Sequence, residues 1–292
     1  MGSIPFDHRA ALPNSDLTPD VSRRGFLATS LAVGFASAAN PVLAQAVSTS
    51  AEGLITGEVA VPVAGGLMPA YQAYPATGGP FPTVVVIQEI FGVHEHIKDV
   101  CRRLAKLGYY AISGELYARQ GDVSKLSDIK EIFSQVVSKV PDEQVNADLD
   151  SLVDFARSTG KADIKRLGIT GFCWGGRATW LYAAHNPKLL AAVAWYGMVD
   201  APSWNEKATS VFQLLPKLTV PVLGLYGEKD GSIPVAHVEK LKAELAGRSS
   251  EIVIYPGVGH GFHADYRPSY DQKAAEDGWH RLQEWFKKFG VA

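Results

Sequence analysis

Cys173, Asp230 and His260 are the residues whose types and order could carry out nucleophilic chemistry. A thiol at its ordinary pKa is only a few per cent thiolate at neutral pH, so it needs a base. An imidazole within hydrogen-bond reach takes its proton, and a carboxylate behind the imidazole fixes the tautomer and stabilises the imidazolium. A thiolate made in this way attacks an acyl carbonyl to give a thioester, which water activated by the same imidazole then cleaves. Each of the three residues stands in a setting that favours this reading. Cys173 is the centre of Gly171-Phe172-Cys173-Trp174-Gly175-Gly176, Asp230 closes Gly227-Glu228-Lys229-Asp230, and His260 lies between Gly259 and Gly261. Glu228 is the competing acid.

The elements needed to position these groups are legible around them. Arg166 to Thr170 reads as a buried strand and Arg177 to Ala184 as a helix. A strand turning sharply into a helix around G-x-nucleophile-x-G is the nucleophile elbow of α/β-hydrolases, here with cysteine in place of serine. The flanking glycines are required because side chains there would collide with strand and helix. An oxyanion hole is expected from the backbone N–H of Trp174 and of Ile90, the latter on the loop after the strand Thr83–Ile87.

Strands and helices alternate along the rest of the chain. Ala51–Val61 and Met68–Pro75 form a hairpin turning at Gly65-Gly66, followed by strand Thr83–Ile87, helix Glu95–Leu107 and strand Tyr109–Ser113. Ser124–Lys139 and Asp142–Ser158 read as two helices separated by Pro141. After the elbow come strand Leu190–Tyr196, an excursion over 197–218, strand Val220–Gly227, helix Val235–Ala246, strand Glu251–Tyr255 and a closing helix Tyr270–Phe289. This alternation predicts an α/β-hydrolase fold, with a mostly parallel central sheet covered by helices on both faces. Such sheets bind ligands beyond the carboxyl ends of their strands, where Glu89, Cys173, Asp230 and His260 all fall.

The 292 residues are 47% hydrophobic with a net charge of −2, which supports a sizeable core and gives no reason to expect nucleic acid as a partner. No apolar run has the length of a permanent membrane span. The start of the chain is read as a leader rather than as fold. Ser22-Arg23-Arg24-Gly25-Phe26-Leu27 is a twin-arginine export signature, followed by an apolar run and by Val42-Leu43-Ala44 as a cleavage site. Residues 1–44 are therefore expected to engage the twin-arginine translocation machinery and 45–292 to form one domain, periplasmic or secreted. The two cysteines, Cys101 and Cys173, could pair in an exported protein. Cys101, however, sits in the apolar stripe Ile97, Val100, Cys101, Leu104, Leu107 and is read as a buried core thiol. His94, Glu95 and His96 invite a metal reading, but they open a helix facing different directions and are read as solvated loop and cap. No metal or organic cofactor is expected.

Taken together, Gln88-Glu89-Ile90-Phe91-Gly92, Leu116-Tyr117-Ala118-Arg119-Gln120, the cysteine elbow, Gly227-Glu228-Lys229-Asp230 and Gly259-His260-Gly261-Phe262 resemble the dienelactone hydrolase (carboxymethylenebutenolidase) family. These motifs run in family order from about residue 55 to the C-terminus. The resemblance implies a hydrolase of small esters or lactones, and a glutamate, Glu89, that hydrogen-bonds the resting cysteine until substrate redirects it. It also implies two arginines gripping the substrate's carboxylate. One belongs four residues after the histidine, where this chain has Ala264; loose alignment offers Lys130 for the other. Arg267, His263 and Tyr266 are near enough to His260 to line the same mouth, and Tyr117 and Arg119 are further candidate substrate contacts. Dienelactone is thus a doubtful substrate, and an export signal fits poorly with cytoplasmic aromatic breakdown. The alternatives are a broad carboxylesterase or thioesterase without preference for acidic substrates, and a non-catalytic thiol-bearing binding protein on a hydrolase scaffold.

Overall fold

The computed structural model describes residues 48–202 and 208–292. The leader expected over 1–44, and 203–207 of the excursion, lie outside the described residues. Eight strands form one sheet in the order β1-β2-β4-β3-β5-β6-β7-β8. β1 (Leu54–Val63) and β2 (Gly66–Pro75) are the expected hairpin, with Leu54 opposite Pro75 and Val63 opposite Gly66. β2 pairs antiparallel with β4 (Tyr110–Gly114), and every later pairing is parallel. These parallel strands are β3 (Phe81–Ile87), β5 (Ala162–Phe172), β6 (Ala191–Trp195), β7 (Val222–Gly227) and β8 (Glu251–Tyr255).

A strand covered on both faces cannot alternate polar and apolar residues, and β6 and β7 are accordingly buried throughout. Consecutive residues of β7 show what covers each face. A methyl group on Gly224 would lie 3.3 Å from Trp180 of the elbow helix α4 (Trp174–His185). Leu225 points the other way, toward Gly278 of α7 (Gln272–Lys288), so the elbow helix and the C-terminal helix lie on opposite faces. α1 (Glu95–Lys106) packs on β2, β3 and β4, and α3 (Asp142–Ser158) on β1, β4 and β5.

Two short helices depart from the expected pattern. In place of one helix over 124–139 there is a 3-10 turn (Val123–Lys125), α2 (Ile129–Gln135) and a second 3-10 turn (Val137–Lys139). Side-chain caps cause the break: Asp122 accepts from the Ser124 amide, and Asp128 from the Lys130 and Glu131 amides at 2.6 and 3.3 Å. A carboxylate that satisfies the first amides of a turn starts a helix there and ends any run arriving from upstream. Within the excursion, α5 (Val211–Leu214) opens on a capping box formed by Ser210 and Gln213. α6 (Val235–Glu244) joins β7 to β8.

Candidate active site

Cys173 stands between β5 and α4 with φ at +57° and ψ at −114°, a conformation that side-chain-bearing residues rarely adopt. The backbone around it leaves no room for side chains. A Cβ on Gly171 would lie 2.3 Å from the Gly175 carbonyl oxygen, one on Gly175 would lie 2.5 Å from that of Gln88, and one on Gly176 would lie 2.3 Å from that of Trp195. The strand-to-helix turn is thus pressed directly against β3 and β6, and the Cys173 amide donates to the Trp195 carbonyl at 3.0 Å. Trp174 is the first residue of the helix, so its N–H has no intrahelical acceptor and lies at the positive end of the helix dipole.

His260 Nε2 lies 3.1 Å from Cys173 Sγ, and His260 Nδ1 lies 2.7 Å from Asp230 Oδ2. Asp230 is buried, and its other oxygen accepts from the Ser232 and Ile233 amides at 2.8 and 3.1 Å, which fixes its plane. Burial opposes a charged His260, but the Cys173 sulfur and the Asp230 carboxylate outweigh it and raise the imidazole to about 10. Glu228, the competing acid, is turned elsewhere and accepts from the Gly257 amide. Geometrically this row can pass a proton from sulfur to imidazole while the carboxylate holds the ring.

Glu89 is wholly buried beside this row. Its expected bond to the cysteine is not what the structure holds: Cys173 is engaged by His260, and Glu89 by three other groups. Tyr266 donates to Oε2 at 2.5 Å, Arg267 Nη2 lies 3.2 Å from Oε1, and His94 Nε2 lies 3.5 Å from Oε2. Burial would raise this carboxyl, but the Arg267 guanidinium and then His94 hold it well below its ordinary value. An anion buried to this degree takes the cation available to it rather than a neutral thiol. The Arg267 guanidinium also lies over the Phe91 ring, 5.0 Å from its centroid. His94 and His96 are correspondingly buried instead of solvated, and His96 Nδ1 contacts Asp265 at 3.2 Å. Among the described residues no group of three or more potential ligands is arranged to hold a metal ion.

The loop bearing Ile90 is held from below. Glu115 accepts from Gln88 Nε2 at 3.0 Å and from the Val93 amide at 2.9 Å, and burial pushes its carboxyl up to about 7 against the pull of the Val93 N–H. Tyr117, buried, donates to the Glu89 carbonyl at 3.3 Å and meets the Trp174 ring edge-on.

Three expected substrate contacts are not brought to this place. Arg119 is committed to Asp148 at 2.5 Å and to the Ala64 carbonyl at 3.3 Å, bracing the β1–β2 turn against α3. Lys130 is exposed in the first turn of α2, and no contact joins its side chain to Cys173, His260, Asp230 or Glu89 among the described residues. His263 is buried in the core, its ring 5.1 Å from that of Phe172, 4.6 Å from Trp195 and 5.8 Å from Trp279. Ala264, at the position where the resemblance calls for arginine, is also buried. His94 and Glu115 are the participants that sequence reasoning missed. Glu115 immediately precedes the Leu116–Gln120 motif, which is the available signal; His94 carries none beyond its place beside Glu95 and His96. Cys101 is a buried free thiol, as read from its stripe.

The sequence profile of the dienelactone hydrolase family matches residues 68–290. A "Putative carboxymethylenebutenolidase" of Methylorubrum extorquens is 60% identical over 275 residues, 93% of this chain and 94% of that protein. One of the same name from Escherichia coli K12 is 51% identical over 90% of this chain and 98% of its own length. The crystal structure of a "Putative Dienelactone Hydrolase" from Klebsiella pneumoniae superposes with a TM-score of 0.78 at 53% identity, covering 81% of this chain and 99% of that one.

Proposed function

The chain belongs to the dienelactone hydrolase family and is a carboxymethylenebutenolidase-like hydrolase, and from that premise we propose that it cleaves a small, uncharged ester or lactone through a cysteine nucleophile. The observation that carries the proposal is the unbroken row Cys173 Sγ–His260–Asp230, at 3.1 and 2.7 Å. Cys173 Sγ attacks the carbonyl carbon while the proton rests on His260 Nε2. The tetrahedral oxyanion is received by the amides of Trp174 and Ile90, each worth about 3–4 kcal/mol of barrier if removed. Collapse expels the alcohol, which takes the imidazolium proton and leaves a thioester on Cys173. Water deprotonated by His260 then releases the acid.

Preference for an uncharged substrate follows from the cations. Among the described residues Arg119 is paired with Asp148 and Arg267 with Glu89, so a substrate carboxylate would have to displace Glu89. Losing a charged hydrogen bond to a carboxylate costs roughly 1.5–3 kcal/mol. The test is kcat/KM for a neutral aryl ester or lactone against dienelactone of similar size. Equal or better turnover of the neutral compound is expected; a preference of about a hundredfold for the acid would refute the assignment. We further propose export through the twin-arginine route, supported by Ser22-Arg23-Arg24-Gly25-Phe26-Leu27. Replacing both arginines by lysine should hold the enzyme in the cytoplasmic fraction, and unchanged periplasmic recovery would remove this part.

A further inference from the structure

Glu115 lies outside the proton-transfer row, yet its carboxylate ties down both ends of the six-residue loop 88–93 that carries Glu89 and Ile90. Oε1 accepts from the Gln88 side chain at 3.0 Å at the loop's entry, and Oε2 accepts from the Val93 amide at 2.9 Å at its exit. Between these points Gly92 turns with φ at +79°, and a Cβ there would lie 2.5 Å from Glu115 Oε2. The loop is therefore moulded on the carboxylate itself. Glu115 is in turn fixed, its own amide donating to the Pro69 carbonyl of β2 at 2.7 Å. The Gln88 side chain closes the ring by accepting from the Leu116 amide at 3.4 Å. A buried carboxylate is costly to keep, and leucine or methionine would fill such a place without that cost. The acceptor pair must therefore serve something that an apolar filler would not.

We propose that Glu115 is a positioning residue that sets the Ile90 amide at the place where the oxyanion forms. The inference rests on the cysteine-hydrolase reading given above. An oxyanion donor acts only when it is about 2.7–3.1 Å from the developing charge, so a loop that loses one anchor and drifts by an ångström weakens transition-state binding more than substrate binding. Glutamine at 115 keeps the shape but replaces one acceptor by an N–H₂, which faces either the Val93 N–H or a Gln88 amide that must turn over and give up the Leu116 amide to accept from it, so one tie of the loop is lost.

The experiment compares p-nitrophenyl acetate with its thionoester counterpart, whose C=S is a poor hydrogen-bond acceptor, at pH 8 in wild type, Glu115→Gln and Gln88→Met. Iodoacetamide alkylation of Cys173, which needs no oxyanion hole, is followed alongside. Glu115→Gln should lose about tenfold or more in kcat with KM within about threefold. Its oxyester-to-thionoester ratio should fall by a similar factor, with the alkylation rate unchanged. Gln88→Met, which leaves the Val93 tie in place, should show a smaller change in the same direction, and it carries the test should Glu115→Gln not fold. An unchanged ratio, or ratio and alkylation failing together, overturns the assignment of Glu115. Esterase activity surviving in Cys173→Ala would instead bring down the underlying reading, so the two failures are distinguishable.

Discussion

Two groups of polar residues meet at the carboxyl end of the sheet, and they are held by opposite means. The row Cys173–His260–Asp230 is fixed by backbone: a strained elbow at φ +57°, glycines pressed against neighbouring carbonyls, and amides that orient Asp230. The Glu89 pocket is fixed by side chains alone, with Arg267, Tyr266 and His94 gathered around one fully buried carboxylate. Backbone constraints hold a reacting group in place and leave its proton free to move. Side-chain charge pairing spends the ionisable groups on each other, and Arg267 is committed to Glu89.

The largest effect is expected at the row Cys173–His260–Asp230. Cys173→Ala should lower kcat/KM by at least about 10⁴-fold, measured with a neutral aryl ester, because it removes the proposed nucleophile. Asp230→Asn should preserve the fold and cost about 10²–10⁴-fold, because the amide presents the wrong partner to His260 Nδ1. Esterase assays together with thermal melts separate this from unfolding.

At the Glu89 pocket the expected loss is in stability. Arg267→Met takes the guanidinium from a buried carboxylate, leaving it only Tyr266 and His94, and should cost about 3–5 kcal/mol at neutral pH by denaturant titration. The pH dependence has a definite sign. In the wild type the carboxyl is depressed, so its contribution is present above its unfolded value of 4.5 and fades as pH falls. Without the guanidinium, burial raises the carboxyl, and Glu89 takes up a proton on folding. The stability gap between wild type and variant should therefore narrow on acidification; a gap independent of pH would mean that the pair is not what holds Glu89. The smallest effect is expected at Lys130→Ala, within about twofold of wild-type kcat/KM, because its exposed side chain touches neither region.

What could be read in the sequence follows the same division. Backbone demands leave marks in order, and glycines at 171, 175 and 176 announced the elbow before any distance was known. Pro141 and the apolar spacing behind it marked α3 to the residue. Side-chain pairing leaves no such mark. Arg267 and Tyr266 reach Glu89 across more than 170 positions of chain, and nothing in their neighbours announces it. His263 illustrates the same limit: it sits three residues after His260, yet the turn at Gly261, with φ at +74°, sends it into the core against Phe172 and Trp279. Local capping defeated the long helix expected over 124–139, because Asp122 and Asp128 each satisfy turns that periodicity does not register.

An acyl group carried on Cys173 would be seen by intact-protein mass spectrometry during turnover of a slow neutral aryl ester. A mass increase of one acyl group is expected on the wild-type chain. It should map to the peptide containing Cys173, be released by hydroxylamine, and be absent from Cys173→Ala. Turnover that continues in Cys173→Ala, or an acyl group found on another residue, would contradict it.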